Sequence, residues 1–249
     1  KIGLVIISPT DQDLIKEGSD VRRKFMDGVI SQNDQHYLNT LIDYQKVLSQ
    51  RNALLKYFAA NKTFQSDTLA VYDQQLVDLG DQIFDKRSKF ISHYAPLLLE
   101  RYKMISGNNE DVTVTYESQL EKENFSQLLK DRQQKDMQFQ YTSVGIHKDD
   151  LSMKLNGYPI KKFGSQGQQK SYLIALKFAQ YDFMLNQKQI KPILLLDDIF
   201  DKLDQERVSQ LISMIAANQM GQLFISDTDS ERTQTVVKNN VDQFKLIEL

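Results

Sequence analysis

Hydrophobic positions along this chain fall into three rhythms, and each predicts a different kind of element. The opening run, Lys1-Ile2-Gly3-Leu4-Val5-Ile6-Ile7-Ser8-Pro9, is apolar without alternation. A strand covered on both faces reads this way, and Pro9 ends it. The run opens the chain with no initiator Met and no leading turn, which predicts a preceding segment. Thr10-Asp11-Gln12-Asp13 predicts the cap of a short helix. Gly18-Ser19-Asp20 breaks that helix before another runs through Arg22 to Asp27.

From about residue 35 the rhythm becomes a heptad. Leu41, Leu48 and Leu55 fall seven apart, with Tyr37, Tyr44 and Phe58 at the alternate position and Arg51 as the exception. After a polar stretch from Asn61 to Thr68 the heptad resumes in Leu69, Leu76, Ile83, Phe90 and Leu97. Tyr72 and Leu79 hold its second seam, which Lys86 and His93 interrupt. Two such segments predict an antiparallel helical hairpin, with arms of roughly 35–40 Å at 1.5 Å per residue. Pro96 should kink or end the second helix. An ordinary helical subdomain fits this pattern, and so does an arm that touches a partner or DNA.

Beyond Gly107-Asn108-Asn109 strands and helices mix. Val112 to Tyr116 alternates as a strand, 121–135 reads as a charged helix, and Phe139 to Val144 as a strand again. Asn156-Gly157, between Asp150–Leu155 and Tyr158–Ile160, signals a hairpin turn. Then follow a helix from Ser165 to about Asn186, a strand Ile193–Asp197, a helix Asp204 to about Asn218 and a strand Gln222–Ser226. A short helix over Thr233–Asn239 and a strand over Phe244–Leu249 close the chain. The alternation after residue 160 predicts an α/β layer with buried parallel strands.

Composition narrows the classes. With 249 residues, 41% of them hydrophobic, the chain can bury a sizeable core in one large domain or two smaller ones. A net charge of −2 leaves no bulk cationic surface, so nucleic-acid binding would need a local basic patch. Cysteine is absent, which removes disulfides and thiolate metal sites. No apolar run approaches a membrane span and no signal peptide leads the chain, so a cytoplasmic location without membrane partners is expected.

The chemistry concentrates after residue 160. Ile193-Leu194-Leu195-Leu196 is followed directly by Asp197 and Asp198. The carboxyl end of a buried strand is where α/β sheets bind ligands. A carboxylate there suits a nucleotide-bound Mg²⁺, and its neighbour could orient or deprotonate a water. A strand end meeting solvent would read the same. In Phe163-Gly164-Ser165-Gln166-Gly167-Gln168, Ser165 can cap the following helix, and Gly167 lets backbone N–H groups approach a phosphate. Plain capping also accounts for it. Asp201-Lys202-Leu203-Asp204 caps the next helix, and Ser226-Asp227-Thr228-Asp229 ends the next strand. Three polar ends on one sheet edge are what a site looks like. A metal hydrolase is disfavoured, because no two of the three His stand at ligand spacing.

The order SQGQQK, PILLLDDIFDKLD, QLFISDTD resembles the C-terminal half of the ABC-type ATPases of the structural-maintenance and repair class, most closely the RecF family. Ser8-Pro9-Thr10-Asp11 with Val21-Arg22-Arg23-Lys24-Phe25-Met26-Asp27 looks like that family's SPEDL and RRRFLD stretches. Gly145-Ile146-His147-Lys148-Asp149-Asp150-Leu151 looks like its GPHRDDL, with Ile146 and Lys148 in place of Pro and Arg. The resemblance implies an α/β fold: the C-terminal half of an ABC-type ATPase head, a mixed sheet with helices, carrying an inserted α-helical arm. Its domains would be 1–30, the end of an N-terminal ATPase lobe and connector; 31–106, the arm; and 107–249, the C-terminal ATPase half.

The same resemblance implies roles. Ser165, Gln166, Gly167 and Gln168 would form the signature turn that reaches ATP held by the other subunit of a dimer. Asp197 would serve Mg²⁺ and Asp198 would be the catalytic acid. Asp201 and Asp204 would form the D-loop, and Asp227 or Thr228 would sense the γ-phosphate where many relatives carry a His. Cofactors would be ATP and Mg²⁺. Partners would be double-stranded or gapped DNA, an ATP-dependent second copy, and recombination mediator proteins. Lys86, Arg87, Lys89, Arg101 and Lys103 are the candidate DNA contacts. The implied function is ATP-driven dimerisation on DNA with slow hydrolysis, in recombinational repair and replication-fork maintenance. No G-x-x-x-x-G-K-[ST] loop occurs in these 249 residues, so the chain is expected to be a fragment that binds ATP poorly alone. A non-enzymatic α/β interaction module and another chromosome-maintenance type of ATPase head remain as other readings.

Overall fold

A computed structural model describes residues 3–107, 109–200, 203–217 and 220–226, with Lys245 and Ile247. The helix expected over 233–239 lies outside these residues, as does nearly all of the strand expected over 244–249. In chain order the elements are β1 (Leu4–Ile7), α1 (Asp13–Lys16), α2 (Ser19–Asn33), α3 (Gln35–Asn61), α4 (Ser66–Ser106), β2 (Val112–Glu117) and α5 (Phe125–Phe139). They continue with β3 (Asp150–Leu155), β4 (Tyr158–Pro159), α6 (Ile160–Phe163), α7 (Gln166–Lys188), β5 (Ile193–Asp197), α8 (Gln205–Ala217) and β6 (Leu223–Ser226). The chain divides into two compact units. One comprises 1–17, 93–114 and 153–249, the other 18–92 and 115–152.

The first unit is built on a parallel sheet of order β1-β5-β6, with Leu4 opposite Ile193 and Asp197 opposite Ser226. Val5, Ile7, Leu194 and Leu196 are buried on one face, but Leu4, Ile6 and Phe224 on the other are about half exposed. The opening strand is therefore covered on one face only among the described residues, where its unbroken apolar run predicts cover on both. Helix α7 packs against β1. It buries residues around most of its circumference, including Leu173, Leu176, Phe178 and Met184, and so forms the centre of this unit's core. A second sheet has the order β2-β3-β4. Its β3–β4 hairpin turns on Asn156 and Gly157, both at positive φ as a type I′ turn requires.

The second unit holds α3 and the first part of α4 as antiparallel partners. Tyr37 meets Arg87, Tyr44 lies beside Gly80, and Arg51 pairs with Asp73, so seven residues forward on α3 are seven back on α4. Leu55, Phe58 and Leu69 close the tip. The second seam on α4 is thus Asp73, Gly80 and Arg87, one position beyond the Tyr72, Leu79 and Lys86 that hydrophobicity suggests. Charge pairing and a glycine, rather than apolar bulk, fill it.

Of the two outcomes expected at Pro96, a kink or an end, the end is corrected: α4 continues to Ser106. The proline removes one helical hydrogen bond at a cost of roughly 3 kcal/mol. The turns beyond it are anchored by buried Leu98, Tyr102 and Ile105, and by Arg101 bound through two nitrogens to Asp182. The strand expected from Phe139 is also not formed. Helix α5 runs to Phe139 and ends at Gln140 in the left-handed region. Thr142 and Ser143 then turn back to bond Arg51 and Asp136. Those buried polar groups need partners more than a sheet edge needs another strand.

His147 sits partly buried in the same unit. Its Nδ1 accepts from the Tyr44 hydroxyl at 2.9 Å and its Nε2 donates to the Thr142 carbonyl at 3.0 Å, an arrangement that needs the neutral ring. Burial, only partly opposed by the Thr142 carbonyl, pushes its pKa down from 6.5 to about 4. The unfolded chain therefore takes up a proton at higher pH than the folded one. This contribution is complete above pH 6.5 and is lost progressively as pH falls toward 4. A decline of about 2–3 kcal/mol from this group is expected, read as the difference between wild type and His147→Gln in urea unfolding at pH 7.5 and 4.5.

Candidate functional site

The site lies in the first unit, where α7 begins and β5 ends. Ser165 is the N-cap of α7 in a reciprocal capping box. Its Oγ accepts from the Gln168 N–H at 3.2 Å, while the Gln168 side-chain oxygen accepts from the Ser165 N–H at 2.8 Å. Ser165 and Gln166 face solvent, and Gly167 and Gln168 are half-buried. The capping box uses the Ser165 and Gln168 N–H groups, and those of Gln166 and Gly167, at the positive end of a 23-residue helix, suit an anion.

At the end of β5, Asp197 is exposed and its Oδ1 accepts from the Ser226 hydroxyl of the neighbouring strand at 2.5 Å. Asp198 is half-buried and adopts φ +48°, in the left-handed region that few residues other than Gly, Asn and Asp visit. Both sides of this strained residue are held. Its N–H donates to the Ser226 carbonyl at 3.1 Å, and its own carbonyl accepts from the buried Lys170 ammonium at 2.9 Å. Such over-determined strain is typical of functional positions. The helix that starts at Ser165 thus fixes the backbone of Asp198, and the two sequence motifs become one structural entity.

Among the described residues, no three His or acidic side chains cluster to chelate a metal unaided. One exposed carboxylate with a second beside it fits Mg²⁺ carried by a nucleotide, which fills most of its shell with phosphate and water oxygens. Asp204 accepts from the Arg207 N–H at 2.8 Å and so caps α8. Asp201, Asp227 and Thr228 lie outside the described residues.

Sequence reasoning missed Lys170, Glu110 and Arg207. Glu110 accepts from the Gln168 side-chain amide at 2.7 Å, from the Tyr102 hydroxyl and from Arg207. Burial works against its charge, yet Gln168, Tyr102 and Arg207 together hold its pKa below the usual carboxylate range. The Asp204–Arg207 spacing of three was the one visible hint, since it marks a helix start. Nothing in the sequence links either residue to Gln168.

Two candidate DNA contacts are corrected. Arg87 is 1% exposed and binds Asp27, Asp149 and the Ile146 carbonyl. Arg101 is 7% exposed and bound to Asp182. Neither offers its charge to solvent, because opposing carboxylates have drawn it inward. Lys86, paired with Asp34 at 2.6 Å, and Lys89 and Lys103 are exposed.

The two outlying stretches of the family resemblance meet in the second unit. Arg22 binds Asp150 through two nitrogens at 2.6 and 2.8 Å, Arg23 donates to the Asp149 carbonyl, and Asp27 and Asp149 share Arg87. Gly145 opens the second stretch at φ +115°. A Cβ there would come within 2.5 Å of Phe125 and 2.8 Å of Tyr44.

No protein-family model matches the chain. It is similar to DNA replication and repair protein RecF of Flavobacterium johnsoniae, 54% identical over all of this chain and 69% of that protein. RecF of Bacteroides fragilis is 44% identical over 98% of this chain and 65% of the relative. The chain therefore spans about two thirds of the length of the curated relatives it matches. Among solved structures, the recombination mediator protein RecF with ATP, in the RecFOR pathway, matches with a TM-score of 0.81 and 29% identity, over 92% of this chain and 64% of that one. An Smc head domain from Pyrococcus furiosus shares the fold, with a TM-score of 0.52 and 14% identity over 96% of this chain and 57% of that one.

Proposed function

This chain belongs to the RecF family of DNA replication and repair proteins and has the fold of an ABC-type ATPase head, and on that premise we propose that the whole protein is a DNA-binding ATPase that dimerises around ATP. The observation that supports this reading is the bond from Lys170, on the helix that Ser165 caps, to the Asp198 carbonyl at the end of β5. A turn held in advance by such bonds would close on a nucleotide held by another subunit at less ordering cost. Two-fold symmetry then yields two composite sites.

Asp197 would hold Mg²⁺, which supplies charge neutralisation to the phosphates when bound. Asp198 would accept the proton of the attacking water, and the N–H groups of the signature turn would meet the γ-phosphate of the partner's ATP. Asp201 and Asp204 would cross the interface, and Asp227 or Thr228 would sense the γ-phosphate. Residues outside these 249 would supply the phosphate cradle. ATP would keep the dimer on double-stranded or gapped DNA, and slow hydrolysis would release it. Lys86, Lys89 and Lys103 would add salt-sensitive phosphate contacts. Recombination mediator proteins are the partners proposed.

The test is the mass of the full-length protein in solution with ATP·Mg²⁺ and with ADP·Mg²⁺. Doubling is expected with ATP alone. Ser165→Asp keeps the N-cap but places a negative charge where phosphate would dock, so it should abolish doubling while leaving nucleotide binding intact. An unchanged mass with ATP would sink the proposal.

A further inference from the structure

We infer that Glu110 and Arg207 are positioning residues that lock the signature turn to the start of α8, so that the turn and Asp204 move as one body. The inference rests on the reading of Ser165–Gln168 as a nucleotide-contacting turn. Its basis is a hydrogen-bond chain with no free choice of direction. Asp204 caps α8 and also faces the Arg207 guanidinium, its Oδ2 3.3 Å from Nε. Arg207 then divides. Its Nη2 reaches both Glu110 oxygens at 3.3 and 3.4 Å, and its Nη1 donates to the Ser171 hydroxyl at 2.7 Å. The Ser171 hydroxyl in turn donates to the Gly167 carbonyl at 2.9 Å.

On the other branch, Glu110 has only acceptors, so the Gln168 amide must turn its NH₂ toward it. That orientation leaves the amide oxygen facing the Ser165 N–H, which closes the capping box. A carboxylate 58 positions away in sequence therefore decides which way the signature amide points. Glu110 and Arg207 side chains are 14% and 17% exposed, so water competes little for these bonds. A lysine at 207 could not hold Glu110 and Ser171 together, because it lacks the planar fork.

Glu110→Ala and Arg207→Lys in the full-length protein test this with two readouts. Without nucleotide, amide exchange at Gln168 and Gln169 should quicken about tenfold in either variant, the size of one lost charge-assisted hydrogen bond. Exchange at Tyr44 and Leu48 on α3 should not change. With ATP, kcat should fall about tenfold at little altered KM, since the turn would act on the partner's nucleotide after it binds. Unchanged exchange at Gln168 in both variants overturns the inference, as does equal quickening throughout the chain, which would mean general loosening. If the wild-type protein turned over no ATP, the nucleotide reading would fail, yet exchange would still decide whether the lock exists.

Discussion

Asp198→Asn in the full-length protein is expected to lower kcat for ATP by about 10²–10⁴-fold, the usual contribution of a positioned general base. The substitution isolates the carboxylate unusually well. Asn tolerates the left-handed backbone at least as readily as Asp, so φ +48° should survive. Both bonds that hold the residue, from its N–H to Ser226 and from Lys170 to its carbonyl, use backbone atoms and persist. Lost turnover would then report on one oxygen's ability to take a proton. Asp197→Asn should behave differently. It removes the exposed charge proposed to hold Mg²⁺ and should weaken ATP·Mg²⁺ binding, raising KM as well as lowering kcat. Steady-state turnover with and without double-stranded DNA, beside nucleotide binding by titration, separates the two. A fall of less than about threefold for Asp198→Asn would show that another group activates the water.

What the sequence displays and what it hides divide along a physical line. Short-range patterns were legible. Four branched apolar residues before two carboxylates marked β5 to the residue, and Asn156-Gly157 marked the hairpin, because these signals come from backbone preference and burial. Partners distant in sequence were not. Arg87 and Arg101 read as surface cations, since nothing local reveals a facing carboxylate 60 or 81 residues away. Glu110 carried no motif at all, and Arg207 only its spacing from Asp204. Pro96 shows the converse failure, a strong local signal overruled by the packing of Tyr102 and Ile105 beyond it. The strain at Asp198 was equally invisible, because Asp occurs in ordinary strand ends too.

Arg87→Met should destabilise the chain by about 3–5 kcal/mol, the cost of removing one partner from a buried ion pair. Met matches the length of the apolar stem, so little of the loss would come from a cavity. What remains is charge. Asp149 is buried and also accepts from the Tyr116 hydroxyl; Asp27 accepts from Tyr37. Without the guanidinium, two carboxylates face each other's surroundings with only neutral donors. Burial disfavours the cation at Arg87, but Asp27, with lesser help from Tyr37, Tyr116 and Asp149, keeps its pKa above the ordinary arginine value. Adding Asp149→Asn should recover part of the loss, because it removes the more deeply buried of the stranded charges. A coupling of about 1–3 kcal/mol is expected in the double-mutant cycle. Urea unfolding followed by circular dichroism measures all four proteins. Equal losses from the single changes that simply add would deny the coupling and reduce Arg87 to packing. A coupled result would explain why two stretches resembling one family, at residues 21–27 and 145–151, are rich in charge: Asp27 and Asp149 share Arg87 within the second unit.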